Sequence, residues 1–122
     1  MASAPRLSVV LACYNEEEIL AASFAEIHEV LEDLGRPYEI LFVDDVSRDR
    51  TRDVIRDIVA AHPAAPIRVI LHDVNRGRGT TVSDGFRAAR GEIVGYLDVD
   101  LEVHARYIPS LVRAWTSRST SR

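Results

Sequence analysis

The stretch LSVVLACYNEEEILAASFAEIHEVLEDLGRPYEILFVDD, residues 7–45, decides the fold class. Two apolar runs of strand length, rich in β-branched residues, lie at its ends, at residues 7–12 and 39–43. Between them, apolar side chains recur with the spacing of one helix face, at Leu20, Phe24, Ile27, Leu31 and Leu34. Asn15 is predicted to cap this helix and Gly35 to end it. The stretch therefore predicts a strand, a helix and a second strand.

The same alternation continues along the rest of the chain. Apolar residues at positions 54, 55, 58 and 59 predict a second helix, and the apolar run at 67–71 predicts a third strand. A third helix is predicted with Val82, Phe86 and Ala89 on its inner face. A fourth strand at 92–97 and a last helix through 108–115 follow. Alternating strands and helices predict an α/β domain with a parallel, Rossmann-like sheet. We expect the strand order 3-2-1-4, which places the first strand between the second and the fourth.

The composition excludes several classes of protein. The chain has 122 residues, of which 47% are hydrophobic and 28% charged, as is typical of a packed domain. Its single cysteine, Cys13, excludes a disulfide framework and a zinc site built on several thiolates. The net charge of −4 argues against nucleic acid as a partner. No apolar run approaches the roughly 18 residues that span a bilayer, and we expect a cytoplasmic protein.

Polar residues with binding chemistry follow every predicted strand. Because the carboxyl ends of parallel strands meet at one edge of a sheet, these residues are expected to line a single crevice. They are Tyr14, Asn15 and Glu16 after the first strand, Asp44, Asp45 and Ser47 after the second, Asn75 and Arg76 after the third, and Asp98 and Asp100 after the fourth. The convergence of three acidic groups favours a binding function over a purely structural one.

The sequence Asp98-Val99-Asp100 predicts a metal site. In an extended segment, side chains two positions apart point to the same side, so the two carboxylates would repel each other without a cation between them. Mg²⁺ and Mn²⁺ prefer oxygen ligands and commonly bridge carboxylates to a diphosphate. The alternative is that one aspartate caps the next helix and the other is solvated.

The acidic pair and the arginine loop each have two interpretations. Asp44 and Asp45 either accept hydrogen bonds from a nucleotide or shape the turn that leads into the second helix. Arg76 and Arg78 either neutralise a diphosphate or belong to a solvated basic loop around Gly77.

The histidines and the cysteine are interpreted mainly as structural. His28, His62 and His72 lack partners at metal-binding spacing, so we expect each to be structural or on the surface. His104 follows the Asp-x-Asp segment, and an approach to the metal or the leaving group stays open for it. Cys13 is predicted to be a small buried hydrophobe near the crevice.

Four segments together resemble glycosyltransferase family 2, the inverting enzymes of the GT-A fold. They occur in the family's order: LSVVLACYNEEEIL at 7–20, EILFVDDVSRDRT at 39–51, NRGRGTTVSDG at 75–85, and GEIVGYLDVDLEVHARYIPSL at 91–111. The resemblance is greatest to dolichyl-phosphate and polyprenyl-phosphate sugar synthases, and it covers about residues 7–113. It implies the donor-binding part of an enzyme that transfers a sugar from a nucleotide-diphosphate sugar, with inversion, to an acceptor such as a polyprenyl phosphate.

The resemblance also implies roles for individual residues. Tyr14, Asn15 and Glu16 match the turn that borders the base and ribose, and one of Asp44 and Asp45 matches the aspartate that contacts the base. Arg76 and Gly77 lie in the segment that matches the family's Asn-x-Gly-x-Gly loop near the donor. Asp98 and Asp100 match the Asp-x-Asp (DXD) motif that holds Mg²⁺ or Mn²⁺ and the donor diphosphate.

The chain departs from the family pattern in one loop and in length. The motif after the second strand usually has glycine where Val46 and Arg50 stand here, so we expect this loop to bend differently. The family's acceptor half and its catalytic base have no counterpart in these residues. We therefore predict a donor-binding unit over residues 1–115 and a polar, disordered tail over 116–122. An acceptor that is a polyprenyl phosphate would bring the full-length protein to the cytoplasmic face of a membrane.

Two other functions are alternatives to the transfer of a sugar. A haloacid-dehalogenase-like phosphotransferase also has an Asp-x-Asp after an apolar strand, but it needs a downstream lysine, and all 15 basic residues here are arginine. A non-catalytic nucleotide-binding or interaction module, derived from a transferase, remains open as the alternative.

Overall fold

The structure is a computed structural model that describes residues 5–99, with the exception of the Asp98 side chain. Four strands alternate with three helices in this range: β1 (Leu7–Cys13), α1 (Leu20–Leu34), β2 (Tyr38–Asp44), α2 (Thr51–Ala61), β3 (Ile67–Leu71), α3 (Arg78–Ala88) and β4 (Ile93–Asp98). The predicted strands and the first three predicted helices are therefore present. The predicted last helix, the tail over 116–122, His104 and Asp100 lie outside the described residues.

The four strands form one parallel sheet in the order β3-β2-β1-β4, which confirms the predicted order 3-2-1-4. The central strand β1 pairs with β2 from Leu7 opposite Tyr38 to Cys13 opposite Asp44. On its other side β1 pairs with β4, and Ala12 lies opposite Asp98. Because all strands run in one direction, their carboxyl ends and the loops that follow them share one edge of the sheet.

Helices cover both faces of the sheet, which is why the strands are nearly continuous apolar runs. On one face Val9 and Leu11 of β1 join a buried core with Phe24 of α1 and Ile55 of α2. On the other face the side chain of Val10 lies against α3. Consecutive β1 residues thus point to opposite faces and pack against different helices.

Helix α1 has the predicted apolar stripe but not the predicted start. Its buried residues are those of the stripe, Leu20, Phe24, Ile27 and Leu31, and Gly35 ends it in the left-handed conformation with φ 66°. The prediction that Asn15 caps the helix is wrong, because α1 begins at Leu20 and Asn15 has a φ of 55°. The Asn15 side chain accepts hydrogen bonds from the loop after β2 instead, so it is not available to a helix terminus.

Helix α3 is oriented differently from the prediction. Its buried residues are Thr81 and Gly85, whereas Phe86, predicted to face inward, is 45% exposed. The physical reason is the close approach of the helix to the sheet, since a Cβ at position 85 would collide with the Val10 side chain. Because Gly85 has no side chain, α3 can approach β1 with Thr81 and Gly85 facing the sheet. Phe86, the next residue along the helix, therefore faces outward.

A buried carboxylate links the strands at the opposite, amino-terminal edge of the sheet. Glu39 of β2 accepts hydrogen bonds from Ser8 Oγ at 2.6 Å, Arg68 Nε at 3.0 Å and the Arg90 backbone N–H at 2.6 Å. Burial by itself raises the pKa of Glu39, but these hydrogen bonds and the Arg68 charge together lower the pKa below its ordinary value. Glu39 is therefore a carboxylate that joins β1, β2, β3 and the connection into β4.

None of the helices in the described part of the chain has the length and hydrophobicity that crossing a membrane requires.

Candidate functional site

A cavity of about 220 Å³ lies at the carboxyl edge of the sheet. The end of β1, the loops after β1, β2 and β3, and the start of α3 meet in its wall. The lining residues are Ala12, Cys13, Tyr14, Glu16, Asp45, Asn75, Gly77, Arg78 and Thr81. Four residues that the sequence assigned to a nucleotide site, Tyr14, Glu16, Asp45 and Gly77, are therefore brought together. The structure thus assembles one site from segments that follow β1, β2 and β3.

The loop after β1 is held by side chains of the loop after β2. Asn15 is the pivot, because its backbone N–H donates to Ser47 Oγ at 2.9 Å while its Oδ1 accepts from the Arg48 N–H at 2.8 Å. The next two backbone N–H groups donate to Thr51 Oγ1 and to Asp49. Asn15 does not line the cavity, but it connects the two loops that do.

Asp49 contributes a charged hydrogen-bond acceptor to this connection between the two loops. Burial raises the pKa of the Asp49 carboxyl, but hydrogen bonds from the Thr51 hydroxyl and from the backbone N–H groups of Thr51 and Glu17 lower the pKa below its ordinary value. Asp49 therefore stays charged at neutral pH and holds the start of α2 against the loop after β1.

The two adjacent aspartates after β2 have different surroundings. Asp44 is fully buried, and its carboxylate accepts hydrogen bonds from Arg52 Nε at 2.6 Å, from the Ser47 N–H at 3.0 Å and from Ser47 Oγ at 2.5 Å. It is absent from the cavity wall. Asp44 thus has the structural role of shaping the turn, which was one of its two interpretations.

Asp45 faces the cavity and connects it to the loop after β3. Its Oδ1 accepts from the Arg76 backbone N–H and lies beside His72 Nδ1, both at 2.8 Å, and its Oδ2 accepts from the Gly77 N–H at 2.8 Å. Burial raises the pKa of Asp45, but the hydrogen bonds from His72, Arg76 and Gly77 lower the pKa below its ordinary value. Asp45 is therefore a carboxylate with a fixed orientation in the cavity wall.

His72 is a buried part of this site that the sequence left among structural or surface histidines. Its Nδ1 is 2.8 Å from Asp45 Oδ1 and its Nε2 is 2.8 Å from Asp84 Oδ2. No local pattern indicates this contact, because Asp45 and Asp84 are 27 and 12 positions away. The other two described histidines fit their structural interpretation, since both rings pack on Phe24.

The arginine loop contributes its backbone and one side chain. Arg76 is exposed and outside the cavity wall, and only its N–H reaches Asp45. Gly77 has a φ of 87°, which favours glycine, and it directly precedes α3. Arg78, the first residue of α3, lines the cavity. Of the two arginines considered for a diphosphate, Arg78 is the one in the cavity wall.

The predicted metal ligands lie at the limit of the described residues. The β1–β4 register places the backbone of Asp98 beside Ala12, which lines the cavity, whereas the Asp98 side chain and Asp100 are outside that range. Within residues 5–99, no group of three or more His, Cys, Asp or Glu side chains has the arrangement of a metal site. Carboxylate oxygens are the ligands that a hard divalent cation prefers.

Comparison with known proteins decides the family. Residues 8–120 match the family described as Glycosyl transferase family 2. The chain belongs to this family. The resemblance of the four sequence segments is thereby confirmed, and so is the parallel sheet that the GT-A fold implied.

Similar curated proteins are bacterial lipid-phosphate sugar transferases. The undecaprenyl-phosphate 4-deoxy-4-formamido-L-arabinose transferase of Aeromonas hydrophila is 35% identical over 108 residues, which is 88% of this chain and 33% of that protein. The protein of the same name from Pseudomonas aeruginosa is 37% identical over 106 residues, which is 87% of this chain and 31% of that protein. The chain thus spans about a third of the length of these relatives.

Two solved structures share the fold of this chain. The mannosyltransferase PcManGT from Pyrobaculum calidifontis, in complex with GDP-Man and Mn²⁺, superposes with a TM-score of 0.71 at 28% identity, covering 80% of this chain and 28% of that chain. S. aureus TarS in complex with UDP superposes with a TM-score of 0.68 at 22% identity, covering 88% of this chain and 31% of that chain. The second likeness concerns the fold alone.

Proposed function

We propose that this chain forms the donor-binding part of a glycosyltransferase that transfers a sugar, with inversion, from a nucleotide-diphosphate sugar to a polyprenyl phosphate. The observation that carries the proposal is the cavity at the carboxyl edge of the sheet, with the oriented Asp45 carboxylate in its wall. Family membership supports the reaction class, and the names of the lipid-phosphate transferases support the acceptor class.

Asp45 is the residue that would recognise the nucleotide base. A carboxylate has about four acceptor positions on its two oxygens. Among the described residues, two donors contact Oδ1 and one, the Gly77 N–H, contacts Oδ2. An N–H group of a base can therefore bind to the remaining position on Oδ2, with the Tyr14 side chain and the Glu16 segment bordering the base and ribose.

The diphosphate and metal would lie towards β4. The cavity of about 220 Å³ is smaller than typical small-molecule sites, so it suits the base and ribose rather than the whole donor. Asp98 and Asp100 would hold Mg²⁺ or Mn²⁺ beside the diphosphate, and the Mn²⁺ and GDP-Man of the PcManGT structure support this ligand class. When bound, such an ion stabilises the charge that develops on the departing diphosphate. The Arg78 side chain adds positive charge at the cavity wall.

The acceptor class is consistent with the chemistry of the chain. A phosphate acceptor is already an anion at neutral pH, so its attack on the sugar carbon requires little general-base help, whereas a hydroxyl acceptor requires a base. The similar curated proteins carry undecaprenyl phosphate in their names, and this chain spans 33% of the first of them. We infer that the acceptor binds to the remainder of such an enzyme, at the membrane surface.

Titration calorimetry with GDP and UDP, each with and without Mn²⁺, tests the donor site. We expect metal-dependent binding of one nucleotide, and a loss of about tenfold or more for Asp45→Asn, because the amide replaces an ionised acceptor with a weaker and partly donating group. Asp53→Asn is the matched control, since Asp53 is a half-exposed aspartate of α2. Equal affinities of the unchanged protein and Asp45→Asn would contradict the role of Asp45.

The metal role and the reaction need two further measurements. Asp98→Asn and Asp100→Asn are expected to abolish the Mn²⁺ dependence of nucleotide binding, because both would remove a charged ligand from the ion. Transfer of a radiolabelled sugar from the nucleotide to polyprenyl phosphate tests catalysis. Binding without transfer would favour the alternative, a non-catalytic nucleotide-binding module.

A further inference from the structure

We propose that His72 is a positioning residue of the donor cavity, an imidazolium that bridges Asp45 to Asp84 of α3 and thereby fixes the carboxylate that meets the base. The inference rests on the proposed donor-binding function. His72 itself is not in the cavity wall, so it acts through Asp45 and does not touch the donor.

The hydrogen-bond geometry places a carboxylate oxygen beside each ring nitrogen of His72. Both ring nitrogens of His72 are 2.8 Å from a carboxylate oxygen, and the side chain is only 6% exposed. A neutral imidazole has one N–H donor and one acceptor lone pair, whereas the imidazolium has two donors. In the neutral form, a lone pair would face either Asp45 or Asp84, and that contact would be repulsive. Only the charged form satisfies both carboxylates.

Charged groups of the segment after β2, of α2 and of α3 surround His72. Asp45 follows β2 and Asp84 lies on α3, where Arg87 Nη2 also donates to Asp84 Oδ1 at 2.8 Å. On the backbone side, the His72 N–H donates to the Asp44 carbonyl and the His72 carbonyl accepts from Arg52 Nη2 at 2.7 Å. Arg52 is in turn neutralised by the Asp44 carboxylate. The imidazolium thus faces two carboxylates. Arg52 is paired with the Asp44 carboxylate, whereas Arg87 shares the Asp84 carboxylate with His72.

The bridge fixes the orientation of the Asp45 carboxylate, and a fixed orientation favours recognition of a base. The His72 backbone is held at its N–H and carbonyl, and Asp84 holds the ring at Nε2, so the ring keeps its place beside Asp45. With His72 and the Arg76 N–H on Oδ1, the Oδ2 atom is directed to Gly77, a residue of the cavity wall. Loss of the ring proton would leave one of the two carboxylates beside a lone pair. Affinity for the nucleotide should then fall.

The first test compares His72→Gln with the matched control His28→Gln. His28 is on α1, its ring packs on Phe24, and it does not line the cavity. With Mn²⁺ present, we expect His72→Gln to bind the preferred nucleoside diphosphate about tenfold or more weakly, because glutamine cannot donate to both carboxylates. The control variant should retain the affinity of the unchanged protein. Unchanged affinity in His72→Gln would overturn the inference.

The second test asks whether protonation of His72 is coupled to nucleotide affinity. A merely structural histidine would show no such coupling. The pH at which His72 loses its second proton is measured from its ring ¹⁵N signals. Nucleotide affinity, measured over the same pH series, should be full below that pH and should fall as the pH rises through it. Asp84→Asn keeps an acceptor beside Nε2 but removes a negative charge, so it should move both midpoints to lower pH together.

The possible results separate the inference from the proposed function. If the unchanged protein binds neither GDP nor UDP at any pH, the donor-binding function fails and this inference fails with it. If the unchanged protein binds, but the affinity midpoint does not follow the His72 midpoint in Asp84→Asn, only the positioning role is overturned. Because Asp84→Asn preserves the hydrogen bond, it provides this readout even if His72→Gln does not fold.

Discussion

Asp44 and Asp45 have the same side chain and adjacent positions, yet one is structural and the other faces the cavity. Successive residues at the end of a strand point in opposite directions, so the two carboxylates leave the sheet on different sides. Asp44 meets Arg52 of α2, whereas Asp45 meets His72 and the loop after β3. The family resemblance implied that one of the pair contacts a base, and we propose Asp45 for this role because it lines the cavity whereas Asp44 does not.

Val46 is a second residue whose backbone conformation does not follow from its residue type. The family motif has glycine here, and the substitution by valine led us to expect a different bend. Val46 nevertheless adopts the left-handed conformation, with a φ of 60°. A β-branched residue in this region is strained by its own backbone. The flanking Asp45 accepts a hydrogen bond from the Gly77 N–H and the flanking Ser47 accepts one from the Asn15 N–H, and these contacts with other loops hold the conformation in place.

Replacement of this valine should relieve the strain. We expect Val46→Gly to raise the free energy of unfolding by about 1 kcal/mol, because glycine adopts positive φ without the steric cost. Val74→Gly is the matched control at an exposed valine without a positive φ, and it should be neutral or destabilising. Urea denaturation followed by circular dichroism measures both. A lower midpoint for Val46→Gly would contradict the strain.

At the scale of elements, the strands were predicted within about a residue of their observed ends, but helix contacts were not. Strand residues are apolar on both faces because the sheet is covered on both sides, so the signal is continuous and local. The start of α1 was misassigned because Asn15 has the right side chain for a cap but a different partner. The inner face of α3 was misassigned because Gly85, which has no side chain, makes the closest approach to the sheet.

Two glycines of α3 provide a test of this packing. Gly85→Ala should lower the free energy of unfolding by about 1–3 kcal/mol, because the added Cβ collides with the Val10 side chain and forces the helix away from β1. Gly79→Ala is the matched control in the same helix, where nothing lies within 4 Å of an added Cβ. That variant should be unchanged or more stable by up to about 1 kcal/mol, since alanine has the better helix propensity.

Thermal and urea unfolding of these two variants would measure the difference. If Gly85→Ala were as stable as Gly79→Ala, the close packing of α3 on β1 would be contradicted.

At the scale of the whole molecule, the two edges of the sheet have different functions. The carboxyl edge carries the cavity, and the amino edge carries the Glu39 network that joins three strands. Since the folded-state pKa of Glu39 is below its ordinary value, its ionised form stabilises the fold. That contribution is fully present above the unfolded-state pKa of about 4.3 and is lost as the pH falls through the lower folded-state value.

Glu39→Gln should therefore destabilise the protein in a pH-dependent way. At neutral pH we expect a loss of about 1–3 kcal/mol, because the amide leaves the Arg68 guanidinium and a backbone N–H with weaker acceptors. The difference from the unchanged protein should shrink at a pH below about 4. Glu92→Gln, at the exposed ion pair with Arg6, is the matched control and should stay within about 0.5 kcal/mol. Urea midpoints across a pH series test this, and a difference independent of pH would contradict it.

The sequence by itself determined the α/β class, the four strands, their order and the edge at which binding residues gather. The class, the strands and the edge follow from local patterns, namely the period of apolar residues and the polar residues after each strand. The strand order is the one expected of a Rossmann-like sheet of this type. The tertiary structure decided which of the two aspartates faces the cavity, which partner Asn15 has, and that His72 lies between two carboxylates. These contacts join residues up to 34 positions apart, so their geometry exists only when the loops after β1, β2 and β3 are brought together by the sheet.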